Sequence, residues 1–158
     1  MAEKRRLLDL LDRAHRAKAW HGPALLESLA GVTPAMAAKR VVKGAHTIWD
    51  LVEHVATWND AVAQRLSGGV PRVTPETNFP KPPRPTPTAW RKSLRRLAAS
   101  QRRFRNAVAR FPEAQLGRKR PGTPTTWYVL IHGQIQHQLY HTGQIAMLRR
   151  GMGKPVPA

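Results

Sequence analysis

Between Ser67 and Thr86 the chain carries Gly68, Gly69 and six prolines: Pro71, Pro75, Pro80, Pro82, Pro83 and Pro85. Proline fixes φ and lacks an amide donor, so residues 67–86 read as an extended linker without regular structure. A connection this long inside a compact domain needs a reason. Twenty extended residues span about 60 Å, whereas a helix of that length is only about 30 Å long. The linker can therefore return along a whole helix and start the next one parallel to the last. That predicts an all-α, four-helix bundle of up-down-down-up order, with a Pro-rich crossover between the second and third helices.

Helical periodicity supports this on both sides of the linker. A first helix is expected from roughly Glu3 to Ala19, with Leu7, Leu11 and Ala14 on one face. It leads to a shorter piece from Pro23 to Leu29, where Pro23 suits a first-turn position. Thr47 followed by Asp50 marks the start of the second helix, which runs to about Leu66 with Ile48, Leu51, Val55, Trp58, Val62 and Leu66 inward. The third opens at Thr86-Pro87, keeps Trp90, Leu94, Leu97, Gln101, Phe104 and Val108 on its inner face, and ends near Arg110 before Pro112. The fourth is expected from a cap at Thr125 or Thr126 to Arg150-Gly151, leaving residues 151–158 as a tail. No segment alternates as a strand. The 158 residues form a single domain, 1–158.

The fourth helix departs from a plain core helix. At about 100° per residue, Leu130, Gln134, His137, His141, Gln144 and Leu148 fall within one narrow sector. Two imidazoles and two amides stand where leucines would be expected, and buried polar groups are costly unless satisfied. His137 and His141, four apart, can turn to one cavity, and neutral imidazole is a common transition-metal ligand. Two half-buried rings bonded to backbone or water fit the same spacing. A metal site needs a third ligand. His54 lies on the shoulder of the second helix's apolar stripe, His46 precedes its cap and suits an anchoring role, and His132 points almost opposite His141. His15 and His21 carry no spacing argument.

There is no cysteine, so disulfides, thiolate ligands and a cysteine nucleophile are excluded. The start, from Met1 to Arg6, leads into an amphipathic leucine pattern instead of an apolar leader. No window approaches a membrane span, and a cytoplasmic protein is expected. The net charge of +18 allows attraction to anionic substrates or nucleic acid. Arg91, Lys92, Arg95, Arg96, Arg102, Arg103 and Arg110 lie on the outer side of the third helix, followed by Arg118-Lys119-Arg120. A charge run on an amphipathic helix is usually its solvated face, and no aromatics interleave with these arginines, so nucleic-acid binding is the lesser reading.

Three stretches carry a resemblance to a known family: Trp20-His21-Gly22-Pro23-Ala24-Leu25-Leu26, Ala45-His46-Thr47 through Glu53-His54 to Trp58-Asn59, and His132-Gly133-Gln134-Ile135-Gln136-His137 through Tyr140-His141-Thr142-Gly143-Gln144 to Arg150. In order and content they resemble the DinB/YfiT-like superfamily of bacterial four-helix-bundle proteins. That resemblance implies a homodimer in which a divalent ion, zinc or nickel, is held by His54, His137 and His141. It also implies, through similarity to bacillithiol S-transferases and mycothiol-dependent maleylpyruvate isomerase, a low-molecular-weight thiol used against an electrophilic small molecule. Gln134, Gln144 and Gln101 are candidates to orient the ligands or bond substrate, and Tyr140 is a candidate proton donor. A non-catalytic metal or small-molecule binder is the competing expectation.

Overall fold

A computed structural model describes residues 3–156, so Met1 and Ala2, part of the stretch read above for a leader, and the last two residues of the 151–158 tail lie outside it. Among the described residues the chain is helical, with no strand and one isolated bridge between Lys119 and Thr126. The helices are α1 (Glu3–His15), α2 (Leu25–Leu29), α3 (Pro34–Ala38), α4 (Ile48–Leu66), α5 (Pro75–Asn78), α6 (Pro87–Arg110) and α7 (Trp127–Gly151), with a 3-10 turn at Glu113–Gln115. The four long ones are those expected.

The starts of α4, α6 and α7 follow from their caps. Thr47 Oγ1 accepts from the Asp50 amide at 3.1 Å, while the Asp50 carboxylate accepts from the Thr47 amide at 2.8 Å. This reciprocal pair satisfies two amides that the first turn would leave without partners. Thr86 and Thr126 cap α6 and α7 through the Ala89 and Val129 amides.

Three expectations need correction. The first helix ends at His15, not Ala19, because the chain turns at Lys18, which adopts φ 62° in the left-handed region. Pro23 lies before the N-cap of α2 and not in its first turn; Ala24 is the cap, its amide bonded to the Glu27 carboxylate at 2.8 Å. The linker 67–86 is not structureless. Thr74 caps a single turn, α5, with Pro75 at its first position, the same Thr-Pro device that opens α6 and the short α3.

Side-chain pairs fix the relative direction of the long helices. Trp49 Nε1 donates to Ser93 Oγ at 2.9 Å, Arg96 bonds Glu53 and Thr57, Asn59 bonds Gln101, and Arg103 bonds Asp60. The partners ascend together along both helices, so α4 and α6 run parallel. Between α4 and α7 the order reverses, with His54 beside His137 and His141 and Asn59 beside Gln134, so these two are antiparallel. Lys4 reaches the Phe111 carbonyl while Asp12 pairs with Arg105, which sets α1 antiparallel to α6.

Two apolar clusters fill the bundle. One gathers Trp49, Val52, Trp90, Leu97, Ile145 and Leu148; the other gathers Leu7, Leu11, Phe104, Val108, Ile131 and Ile135. Between them α4, α6 and α7 contribute a buried polar layer that includes Asn59, Ser100, Gln101, Gln138 and His141. Arg149 closes the bundle at the tail. It is 4% exposed, and its guanidinium donates to the carbonyls of Ser28, Ala30, Lys154 and Pro155, so the tail is bound to α7 and to the end of α2. No described helix is long and apolar enough to cross a membrane.

Candidate metal centre

His54 sits two turns into α4, and His137 and His141 face it from one side of α7. The Nε2 atoms of His54 and His137 are 2.9 Å apart, and those of His141 and His137 are 3.0 Å apart. One ligand nitrogen from each of the three lies within 4.8 Å of the others, and among the described residues this is the group of histidines and carboxylates able to hold a metal ion. The outer nitrogens are tied down. His54 Nδ1 donates to the Asn78 carbonyl at 2.9 Å, and His141 Nδ1 donates to Gln144 Oε1 at 2.6 Å. His137 Nδ1 is buried without a protein partner.

Counting protons decides what this arrangement requires. A neutral imidazole has one N–H. With that hydrogen on Nδ1 of both His54 and His141, each directs a bare lone pair at His137. The single Nε2–H that His137 could offer satisfies only one of them. At least one N···N contact near 3 Å therefore sets lone pair against lone pair, which a cation at the common point would turn from repulsive to attractive.

A proton is a poor cation for the purpose. Burial is the main cause that lowers the pKa of each ring, opposed at His54 by the Asn78 carbonyl and at His141 by Gln144. His137 is pushed down to about 3, by burial and then by its two neighbours. The three rings are thus neutral at pH 7, the form in which imidazole binds a metal. A tetrahedral zinc ion with bonds of about 2.0–2.1 Å wants its nitrogens about 3.3 Å apart, a spreading of a few tenths of an ångström. The donor set fits a divalent ion. With three neutral nitrogens and no protein carboxylate, it would leave coordination positions open, as catalytic sites do.

The surroundings are aromatic on one side and polar on the other. Phe79, just past α5, stacks on His54 at a centroid distance of 4.1 Å and on His46 at 3.7 Å. His46 thus anchors the linker, as its position suggested. Trp58 stands edge-on to His54 and His137, and its Nε1 donates to the Asn78 side chain at 2.8 Å. One short turn of the linker therefore orients His54, covers it and fixes the adjacent wall. A cleft of about 450 Å³ opens beside these groups, lined by His54, His137, Trp58, Val62, Val129 and Leu130 among others.

The chain belongs to the DinB superfamily. The family model for that superfamily matches residues 18–145, which take in α4, α6, all three histidines and most of α7. No curated protein and no solved structure matches the chain significantly. The DinB-like bundle thus brings His54, His137 and His141 together, with His46 one ring away across Phe79. His132 stacks on Tyr128, and His15 is buried in α1.

Of the other residues singled out, Gln144 bonds His141 directly. Gln134 also lines the cleft, but its amide donates to Asn59 Oδ1 at 2.9 Å, and Gln101 accepts from Asn59 at 3.1 Å. Both amides belong to the polar layer, without a bond to any histidine. Tyr140 is 66% exposed, its ring edge-on to His141 at 5.1 Å between centroids. Asn78 and Phe79 were hidden by reading the linker as featureless. The signal that finds them is Thr74-Pro75, which starts the turn that delivers them.

Proposed function

We propose that this DinB-like protein is a metal-dependent enzyme in which His54, His137 and His141 hold one divalent ion, zinc or nickel, and a small-molecule thiol attacks an electrophilic substrate. The observation that carries the reading is the meeting of three Nε2 atoms whose lone pairs no protein group can satisfy together. Bound there, the ion would supply Lewis acidity, favouring thiolate over thiol and polarising an oxygen of the substrate.

The chain's own groups account for the rest. The Asn78 carbonyl and Gln144 Oε1 hold hydrogens on the outer nitrogens, which fixes the tautomer and aims the rings. Phe79 and Trp58 shield the rings from water, and the apolar cleft gives a substrate somewhere to lie. The protein needs no cysteine, because the cosubstrate brings the sulfur. Tyr140 is too exposed to be given the proton-donor role without a covering partner. A homodimer would supply one: Gln136, Tyr140, Gly143 and Met147 form an exposed strip along the outside of α7.

Metal-loaded protein should accelerate conjugation of a generic electrophile to bacillithiol, mycothiol or glutathione, and a chelator should abolish the rate. Stoichiometric metal without turnover of any thiol would reduce the protein to a metal or small-molecule binder.

A further inference from the structure

Arg120 stands in the wall of the cleft that His54 and His137 also line. Its guanidinium is half-buried and held by neutral groups: Nε and Nη2 donate to the hydroxyls of Thr123 and Thr125 at 2.9–3.2 Å. Among the described residues no carboxylate pairs with it, and Nη1 has no acceptor. Arg65 approaches from α4 with its guanidinium 5.6 Å from the ring centroid of Trp58, another wall residue. Its pKa is lowered by burial and then by the charge of Arg120, so the two cations act on each other. Arg65 likewise has no carboxylate partner among the described residues.

Two like charges held together without a counter-charge raise each other's energy, and an anion relieves both. Elsewhere the chain spends its carboxylates on arginines: Glu53 on Arg96, Asp60 on Arg103 and Asp12 on Arg105. Here it provides only threonine hydroxyls, which orient the guanidinium and leave its charge available. The nearby helix start does not compete for the anion. The Trp127, Tyr128 and Val129 amides are already bonded to Arg118, Leu116 and Thr126.

We infer that Arg120, assisted by Arg65, is a subsite for the carboxylate of a small substrate whose apolar body lies along Trp58, Val129 and Leu130 and whose far end reaches the histidines. The part of this statement that concerns the far end rests on the metal reading of the triad; the carboxylate subsite does not. A carboxylate is favoured over phosphate because one guanidinium nitrogen of Arg120 is left to donate and the remaining wall is mostly apolar.

The test uses benzoate, benzamide and phenyl phosphate as probes of metal-free protein, so that no probe gains affinity by ligating an ion. Binding is read by calorimetry. Benzoate should bind at least about tenfold more tightly than benzamide, the scale of a charge-assisted hydrogen bond in a half-buried site. Arg120→Gln should bring the two within about twofold, Arg120→Lys should keep part of the preference, and Arg65→Gln should weaken benzoate less than Arg120→Gln does. Should Arg120→Gln unfold the loop, Arg65→Gln carries the test. No preference for benzoate in the wild type, a preference untouched by both substitutions, or phenyl phosphate bound more tightly than benzoate would each overturn the inference. Failure of the metal reading shows itself separately, as wild-type protein that takes up no divalent ion whatever the benzoate result.

Discussion

Asn59 and His54 stand little more than a turn apart on α4, both buried and both facing α7, yet their surroundings end differently. Around Asn59 the amides complement one another. Gln134 donates to its oxygen and its nitrogen donates to Gln101, so donors meet acceptors across three helices, and of these three amides the one fully buried atom without a partner is Gln101 Nε2. Around His54 the outer nitrogens of His54 and His141 are equally well placed, that of His137 is buried without a partner, and the inner ones present acceptor to acceptor. A buried polar layer built for stability closes on itself. The layer around the three histidines, which could hold a metal ion, stops one cation short. The difference separates polarity satisfied within the protein from polarity that leaves room for a ligand on a single helix.

Replacing one member of each region should break the comparison most visibly. His137→Ala is expected to reduce bound divalent ion from about one per chain to none, measured by elemental analysis after dialysis, while leaving the stability of metal-free protein little changed. Asn59→Ala should do the reverse. Metal content stays at the wild-type level, and chemical denaturation shows a loss of about 2–4 kcal/mol, because the amides of Gln101 and Gln134 lose partners and a void opens. If both variants lose stability and keep metal, the distinction between the two regions fails.

His15 gives a third, independent kind of buried polar group. It is 4% exposed, its Nδ1 has no partner, and burial pushes its pKa down to about 4. The unfolded chain holds this proton below about pH 6.5 and the folded chain only below about 4. Between those values the unfolded state binds more protons, so stability must rise with pH. Its contribution is full above pH 6.5, falls as the pH drops towards 4, and is worth about 3 kcal/mol in all. Denaturation of metal-free protein across that window should show the slope, and His15→Phe should make it shallower by this amount, the remainder coming from His54, His137 and His141, whose pKa values burial also lowers. The smallest effect is expected at Gln144. Removing its oxygen with Gln144→Leu should weaken metal binding by about 10–100-fold without abolishing it, as measured by competition with a chelator of known affinity.

Much of this arrangement is legible in the residues alone. Thr47 with Asp50, Thr86-Pro87 and the pair Thr125-Thr126, of which Thr126 is the cap, mark three helix starts because a cap is a local device, complete within four residues. The length of the 67–86 segment implied parallel neighbours for the same kind of reason: chain reach is arithmetic. The pairing of His137 with His141 was equally local. His54 was not, because its place on the shoulder of an apolar stripe acquires meaning only when α7 packs against it; the family resemblance supplied what periodicity left open. The turn holding Asn78 is masked by the prolines that dominate the linker, although Thr74-Pro75 repeats the device that opens α6 at Thr86-Pro87. Arg96 and Arg103 illustrate the opposite limit. Both are expected on a solvated basic face; Arg103 does stay exposed while pairing with Asp60, but Arg96 is drawn partly inward by Glu53, and both carboxylates lie 43 positions earlier, contacts that no local pattern announces.

The most direct measurement is titration of metal-free protein with cobalt(II), followed by its visible absorption and by X-ray absorption at the cobalt edge. Three imidazole nitrogens converging from α4 and α7 should give saturation at about one equivalent per chain, a nitrogen-rich first shell with imidazole scattering, and room for an added thiol to enter as a sulfur ligand. A linear, unsaturable response, or a spectrum that survives unchanged in His137→Ala, would contradict the assignment of these histidines as a metal centre.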